Sequence, residues 1–340
     1  MEASEQQLED NLYESTSPRI GLKNSHKFGF AAYELPGELS GSALLSHPLA
    51  LEPYIEEVVK QALHEGLNYL ELRGSPRKYG DGLDFLKRFD AAVNRSKMAF
   101  KQVCLPEIRF IVIGDRRSKP RDVENVVNMT IRAREQFPEL IAGLDLAGDE
   151  RTKNPQELCA TFEPAFANCL PLTIHAGEGE SADNIWQAAY HLHADRIGHG
   201  LSIIEKPDLA QRFRDRDICL ELCPTSNREV IGFFDPEIPE SSGCEKFPLL
   251  KFLEQGLPLA LCTDNPGISR TTLTDEFLRA ARMTGGEITL WTALAIIKQG
   301  FLHAFLPKQN KEPLITRVDQ QLYRIVHQEF AAMTIPVANR

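Results

Sequence analysis

The sequence predicts an α/β fold of the (β/α)8 TIM-barrel type that lacks or displaces its first strand. Three observations predict it. Short apolar runs alternate with stretches of helical periodicity, and residues with acid–base or metal chemistry recur where those runs end. The length of 340 residues also suits one barrel of about 250 residues with insertions.

Taken in order, the first 25 or so residues are rich in Glu, Gln, Ser and Asn, show no periodicity, and read as a mobile or partner-dependent lead. Residues 1–48 form this lead and a loop region, and 49–340 the barrel. Within the loop region R-I-G-L-K and F-G-F-A-A-Y-E-L are each possible strands, whereas P-G-E-L-S-G-S reads as a turn-rich loop. From Glu52 to Gly66, Ile55, Val58, Val59, Ala62 and Leu63 recur at helical spacing, and Gly66 supplies the stop. The apolar run Leu67 to Leu72 follows. Six more runs succeed it, at Ile108 to Ile113, Leu140 to Leu146, Leu172 to His175, Arg196 to Gly198, Ile218 to Leu222 and Leu257 to Cys262. Helical stretches lie between them, at Arg121 to Phe137, Ala182 to His193, Lys206 to Asp215 and Phe247 to Gln255. Such alternation implies a parallel sheet covered by helices. The runs end on E-L-R-G-S-P, D-L-A-G-D-E, H-A-G-E, G-H-G, C-P-T-S-N and T-D-N-P. An open doubly wound sheet gathers its chemistry at one switch point, whereas a barrel collects it from many strand ends on one face. Seven runs are one short of the eight that close a barrel.

Bulk properties exclude several classes. No apolar run approaches the ~18 residues a membrane span needs, and the acidic N-terminus has neither a signal core nor an Arg-rich transit pattern, so the chain reads as cytoplasmic. A net charge of -10 argues against binding duplex nucleic acid, although a local basic pocket for one nucleotide is compatible with it. Seven cysteines form no C-x-x-C pair, and Cys219, Cys223 and Cys262 lie in strand-like stretches, so no disulfides are expected.

The chemistry centres on T-I-H-A-G-E-G-E, Thr173 to Glu180. Gly177 and Gly179 let the backbone turn sharply, so that His175 and Glu178 can face one pocket as metal ligand and general acid or base. A lone strand-end His making an ordinary hydrogen bond is the bland alternative. His199, between two glycines, and Asp264, before Pro266, arrive at the same barrel mouth and favour the sharper reading. Imidazole and carboxylate donors suit Zn²⁺, which activates a bound water.

These blocks resemble the adenosine deaminase family, which includes adenosine and AMP deaminases, over about Tyr33 to Phe305. The likeness rests on Y-L-E-L-R-G-S-P (Tyr69 to Pro76), L-D-L-A-G-D-E (Leu144 to Glu150), T-I-H-A-G-E (Thr173 to Glu178), R-I-G-H-G (Arg196 to Gly200), L-E-L-C-P-T-S-N (Leu220 to Asn227) and C-T-D-N-P (Cys262 to Pro266). The resemblance implies a Zn²⁺ cofactor with His175 and Asp264 as ligands, and adenosine or an adenine nucleotide as substrate. It implies that Glu178 protonates the ring nitrogen beside the attacked carbon and that His199 orients and deprotonates the attacking water. Gly148 would offer its N–H to the purine. Where the family has a second acid after the metal-binding Asp, this chain has Asn265, whose amide would donate to purine N7 at any pH.

One departure is larger. The family's H-x-H at the first barrel strand is missing before Leu67. The only H-x-H, His191-Leu192-His193, falls in a helical stretch, where residues two apart point about 200° away from each other and cannot share a metal. His26, His47 and His64 stand singly as solvent or loop residues, with His26 the alternative as a replacement ligand. The missing strand and the missing imidazoles are one element, which implies a chain that begins downstream of the first strand. P-G-E-L-S-G-S (Pro36 to Ser42) and T-D-N-P-G-I-S (Thr263 to Ser269) are similar to the deaminase parts of CRISPR-associated and RADAR-type antiviral proteins, which are longer polypeptides. The partner this implies is a second copy or a segment supplying the H-x-H. The competing reading is a catalytically incomplete or split barrel that binds nucleotides or other chains. A two-metal amidohydrolase is disfavoured because the run Leu140 to Leu146 ends without Lys, and a flipped-base deaminase because P-C-x-x-C is absent. Lys78, Arg116, Arg117 and Arg270 are candidate phosphate contacts.

Overall fold

The computed structural model describes residues 30, 33–34, 42–47, 49–99 and 105–333. Seven strands form one sheet: β1 (Tyr69–Gly74), β2 (Glu107–Asp115), β3 (Ile141–Ala147), β4 (Leu172–Ala176), β5 (Arg196–His199), β6 (Cys219–Leu222) and β7 (Leu259–Leu261). They lie in chain order, and every neighbouring pair is parallel. Helices such as Leu51–His64, Gly82–Ala99, Pro120–Gln136 and Ala182–His191 connect them and cover the outer face. All seven expected runs are therefore strands of one curled, TIM-type sheet.

No pairing joins β7 back to β1 among the described residues, so a seam stays open where an eighth strand would close the barrel. The burial along the strands shows the effect. Residues of β3, β5 and β6 are almost uniformly buried, whereas five of the six β1 residues are only half-buried. Of the proposed upstream strands, R-I-G-L-K lies outside the described residues, as do most of P-G-E-L-S-G-S and His26. In F-G-F-A-A-Y-E-L the described residues Phe30, Tyr33 and Glu34 are helical, which corrects the strand reading of that block.

Several strands begin later than the apolar pattern suggests, for one recurring reason. A left-handed residue ends the preceding helix, and the apolar residue after it bonds back to that helix. Gly66 (φ 68°) precedes Leu67, whose N–H donates to Ala62 O at 2.9 Å, and Gly256 (φ 69°) precedes Leu257, which donates to Phe252 O at 3.1 Å. Leu170 and Ile218 do the same after Cys169 and Asp217. Each such residue is buried or half-buried, yet its hydrogen bond belongs to the helix cap and not to the sheet.

Large side chains and charges fill the barrel interior. Arg73 donates to Asp145 at 3.2 Å and pairs with Glu221 at 2.5 Å; Arg196 pairs with Glu71 at 2.6 Å and with Glu221 at 2.8 Å. The Arg196 guanidinium also lies 3.6 Å over the Phe305 ring, and Phe305 N–H donates to Glu71 at 2.7 Å, so the turn after helix Leu290–Leu302 plugs one end. No helix is long and apolar enough to cross a membrane among the described residues. The H-x-H corrects a detail: the helix ends at His191, and His193 (φ 51°) lies beyond it. His191 packs on Trp186 and His193 on Phe166, so the two rings serve separate contacts.

Candidate active site

The predicted residues converge at the C-terminal ends of the strands. His175 lies on β4, with Glu178 on the turn beyond it, His199 ends β5, and Asp264 follows β7. The rings of His175 and His199 are 5.0 Å apart and inclined at 66°. Gly198 makes that approach possible, since a Cβ there would sit 3.1 Å from the His175 ring. His199 (φ 63°) and Asp264 (φ 53°) both hold left-handed backbone. Such conformations cost non-glycine residues about 1–2 kcal/mol and gather at functional sites.

Asn227, on helix Pro224–Ile231, ties the acid to the imidazole. Its Oδ1 accepts from Cys223 N–H at 3.0 Å, which turns Nδ2 toward Glu178 Oε1 at 2.7 Å and His199 Nδ1 at 2.9 Å. Nδ1 of His199 is thereby an acceptor, and the neutral ring carries its proton on Nε2. Burial pushes the Glu178 carboxyl above its ordinary range, and His199 and the Asn227 amide only partly offset this. A carboxyl group held toward its protonated form is suited to donate a proton near neutrality.

His175 and Asp264 are each braced from behind. Nδ1 of His175 meets Asp145 at 3.0 Å, leaving Nε2 as its outward donor atom. Burial works against charge on His175, but Asp145 outweighs it and raises the imidazole above its usual value. Ser226 Oγ donates to Asp264 Oδ2 at 2.6 Å, and Asn265 Nδ2 to Oδ1 at 3.2 Å. The Asn265 amide is thus turned onto the carboxylate. Gly148 has φ 96°, and a Cβ there would meet Asp115 Oδ1 at 2.7 Å, so this position requires glycine.

A metal was expected on His175 and Asp264. An imidazole with its far nitrogen on a carboxylate is the arrangement of a metal-binding histidine, but a catalytic zinc takes about three protein donors. No group of three His, Cys, Asp or Glu side chains that could hold an ion occurs among the described residues. The described residues therefore offer part of a metal site and not a whole one. Of the candidate phosphate contacts, Arg116 is fully buried with its guanidinium on the carbonyls of Leu146 and His175, and Arg117 pairs with Asp115 and Glu34. Both are engaged within the protein. Lys78 and Arg270 are exposed, as are His47 and His64.

A sequence model of the adenosine deaminase family matches residues 10–321. The chain belongs to the adenosine deaminase family. It is 30% identical over 276 residues to an adenosine deaminase of Enterococcus faecalis, covering 80% of this chain and 76% of that one. To an adenine deaminase of Chelativorans sp. it is 32% identical over 244 residues, 72% of this chain and 68% of the relative. Among solved structures, an adenine deaminase from Arthrobacter aurescens superposes with a TM-score of 0.71 at 18% identity, covering 87% of this chain and 86% of that one. Arabidopsis ADAL complexed with IMP gives 0.68 at 21%, covering 86% and 82%. An amidohydrolase from Burkholderia ambifaria with bound Zn gives 0.68 at 20%, covering 83% and 79%. The family, the barrel and its deaminase character agree with the expectation from the strand-end blocks.

Asp145, Glu150, Ser226 and Asn227 were not singled out from sequence. All four stand inside the blocks L-D-L-A-G-D-E and L-C-P-T-S-N; only Asp145, a carboxylate within the apolar strand β3, carries a signal of its own.

Proposed function

We propose that this chain catalyses hydrolytic replacement of the 6-amino group of adenosine or an adenine nucleotide by oxygen, giving the inosine form and ammonia. The observation that carries the reading is the buried Glu178 carboxyl linked through Asn227 to His199, beside His175 and Asp264. In this reaction Glu178 gives a proton to the ring nitrogen next to the attacked carbon. His199 holds the attacking oxygen through its Nε2–H, because Asn227 occupies the Nδ1 lone pair; the water's proton passes to solvent before attack, and the deprotonation expected of His199 requires the other tautomer. Gly148 N–H and the Asn265 amide bind the purine, the latter after turning away from Asp264. The relatives, adenosine and adenine deaminases and ADAL with IMP, support the substrate class.

Zn²⁺ belongs to the proposal as the ion that His175 and Asp264 would share with donors outside the described residues; bound, it supplies an acidified water. The zinc in a structural neighbour supports this choice of metal. Among the described residues no strand joins β7 to β1; in a second reading the barrel is split or incomplete and acts once a segment carrying H-x-H fills that seam. A role in antiviral defence rests on the T-D-N-P-G-I-S likeness.

The test is ammonia release from adenosine, AMP, ATP and adenine by the purified chain with Zn²⁺, alone and with a polypeptide bearing an H-x-H strand. Release by the chain alone supports the first reading, and release only with the added strand supports the second. A folded protein inert under both conditions refutes them.

A further inference from the structure

Glu150 stands on the turn after β3, only 7% exposed, and has no part in the reaction described above. Its carboxylate nevertheless spans to the turn after β4. Oε2 accepts from Gly177 N–H and Oε1 from Glu178 N–H, both at 2.8 Å, and Oε2 also accepts from Asn184 Nδ2 at 3.1 Å. Gly177 (φ 80°) and Gly179 (φ 85°) give the backbone the curvature that aims successive amides at one point. Consecutive N–H groups of this kind form an anion-binding concavity, and here a side chain of the same protein fills it. On the other side of the turn the buried Arg116 guanidinium holds the His175 carbonyl. The H-A-G-E turn is thus gripped by a carboxylate on two of its amides and a cation on its carbonyl.

We propose that Glu150 is a positioning residue for Glu178: by binding the Gly177 and Glu178 amides it fixes the backbone from which the acid reaches Asn227 and His199. A carboxylate is suited to this because each oxygen takes one N–H, whereas an amide offers one oxygen and turns an NH2 toward the other donor. The inference rests on the deaminase reading for its kinetic consequence but not for its structural one. A displacement of the turn by about 1 Å lowers turnover by about 100-fold.

The test compares Glu150→Gln, close in shape, with the parent. Amide exchange at Gly177 and Glu178 is read on any folded preparation, active or not. The proposal expects it to rise at least tenfold while exchange in β3 and β4 is unchanged; unaltered exchange at the two amides overturns it. In an active preparation, kcat is expected to fall by about 100-fold with KM within about threefold. A kcat like the parent's overturns the proposal while leaving the deaminase reading intact. Absence of ammonia release from the parent bears on that reading, and the exchange measurement still decides whether Glu150 holds the turn.

Discussion

Asn227→Asp replaces one NH2 by oxygen and leaves the shape of the side chain unchanged, so it isolates the donor that joins Glu178 to His199. Asn227 is fully buried, and its Nδ2 lies 2.7 Å from Glu178 Oε1 and 2.9 Å from His199 Nδ1. The variant sets oxygen against oxygen at the first contact. At that separation two unit charges repel by about 6 kcal/mol at an effective dielectric constant of about 20. The hydrogen bond lost contributed about 1.5–3 kcal/mol. Repulsion dominates, so the two carboxyls must share a proton in the folded state, which raises the folded pKa of the pair. Stability is then present below the unfolded carboxylate pKa and lost as pH rises through the folded value. The melting temperature should fall by about 5–10 °C at pH 8 and recover toward the parent's near pH 5. Ammonia release at neutral pH should drop by about 100-fold, because acid and imidazole are no longer held together. Melting equal to the parent's at both pH values, with undiminished release, would refute the arrangement described.

Other expectations follow from the same contacts. Glu178→Gln should abolish ammonia release yet raise the melting temperature at pH 7, because burial penalises the ionised carboxylate there; below the unfolded pKa of about 4 the gain should vanish. Arg73→Met takes one cation from Asp145 and Glu221, which keep His175 and Arg196, and should cost about 3 kcal/mol in urea denaturation at pH 7. Arg73 helps hold both carboxylates below their usual range against the cost of burial, so that deficit should narrow as pH falls through the carboxylate region. Gly177→Ala should be worse than Gly66→Ala although both have positive φ: a Cβ at 177 meets Ile185 and Ser202 at 2.6 Å, whereas one at 66 meets nothing within 4 Å. Losses of about 3 and about 1 kcal/mol in equilibrium unfolding are expected, and the reverse order would contradict the packing.

Much of the fold is legible because both faces of most of its strands are buried, which writes them as apolar runs. The starts of those runs mislead where Leu67, Ile218 and Leu257 look like sheet residues but are spent on helix caps. His175, Glu178, His199 and Asp264 are legible as a set because a glycine or proline within two residues of each marks a strand end. Asn227 and Glu150 are not, since nothing in an Asn or Glu side chain announces that its partners are the amides and acid of a turn tens of residues away. Arg116 misleads for the opposite reason: a cation near the barrel mouth looks available for phosphate, whereas its burial on two strand-end carbonyls emerges only from the packing.

The most direct measurement of the central claim is deamination of adenosine or AMP in water enriched in oxygen-18, with Zn²⁺ and, if the chain alone is inert, with an H-x-H strand supplied. Hydrolysis at the carbon that bore the amine predicts one labelled oxygen in the inosine-type product and one ammonia released, and none of either with Glu178→Gln. An unlabelled product, equal release by the Glu178→Gln variant, or no product from a cooperatively folded protein under both conditions would contradict it.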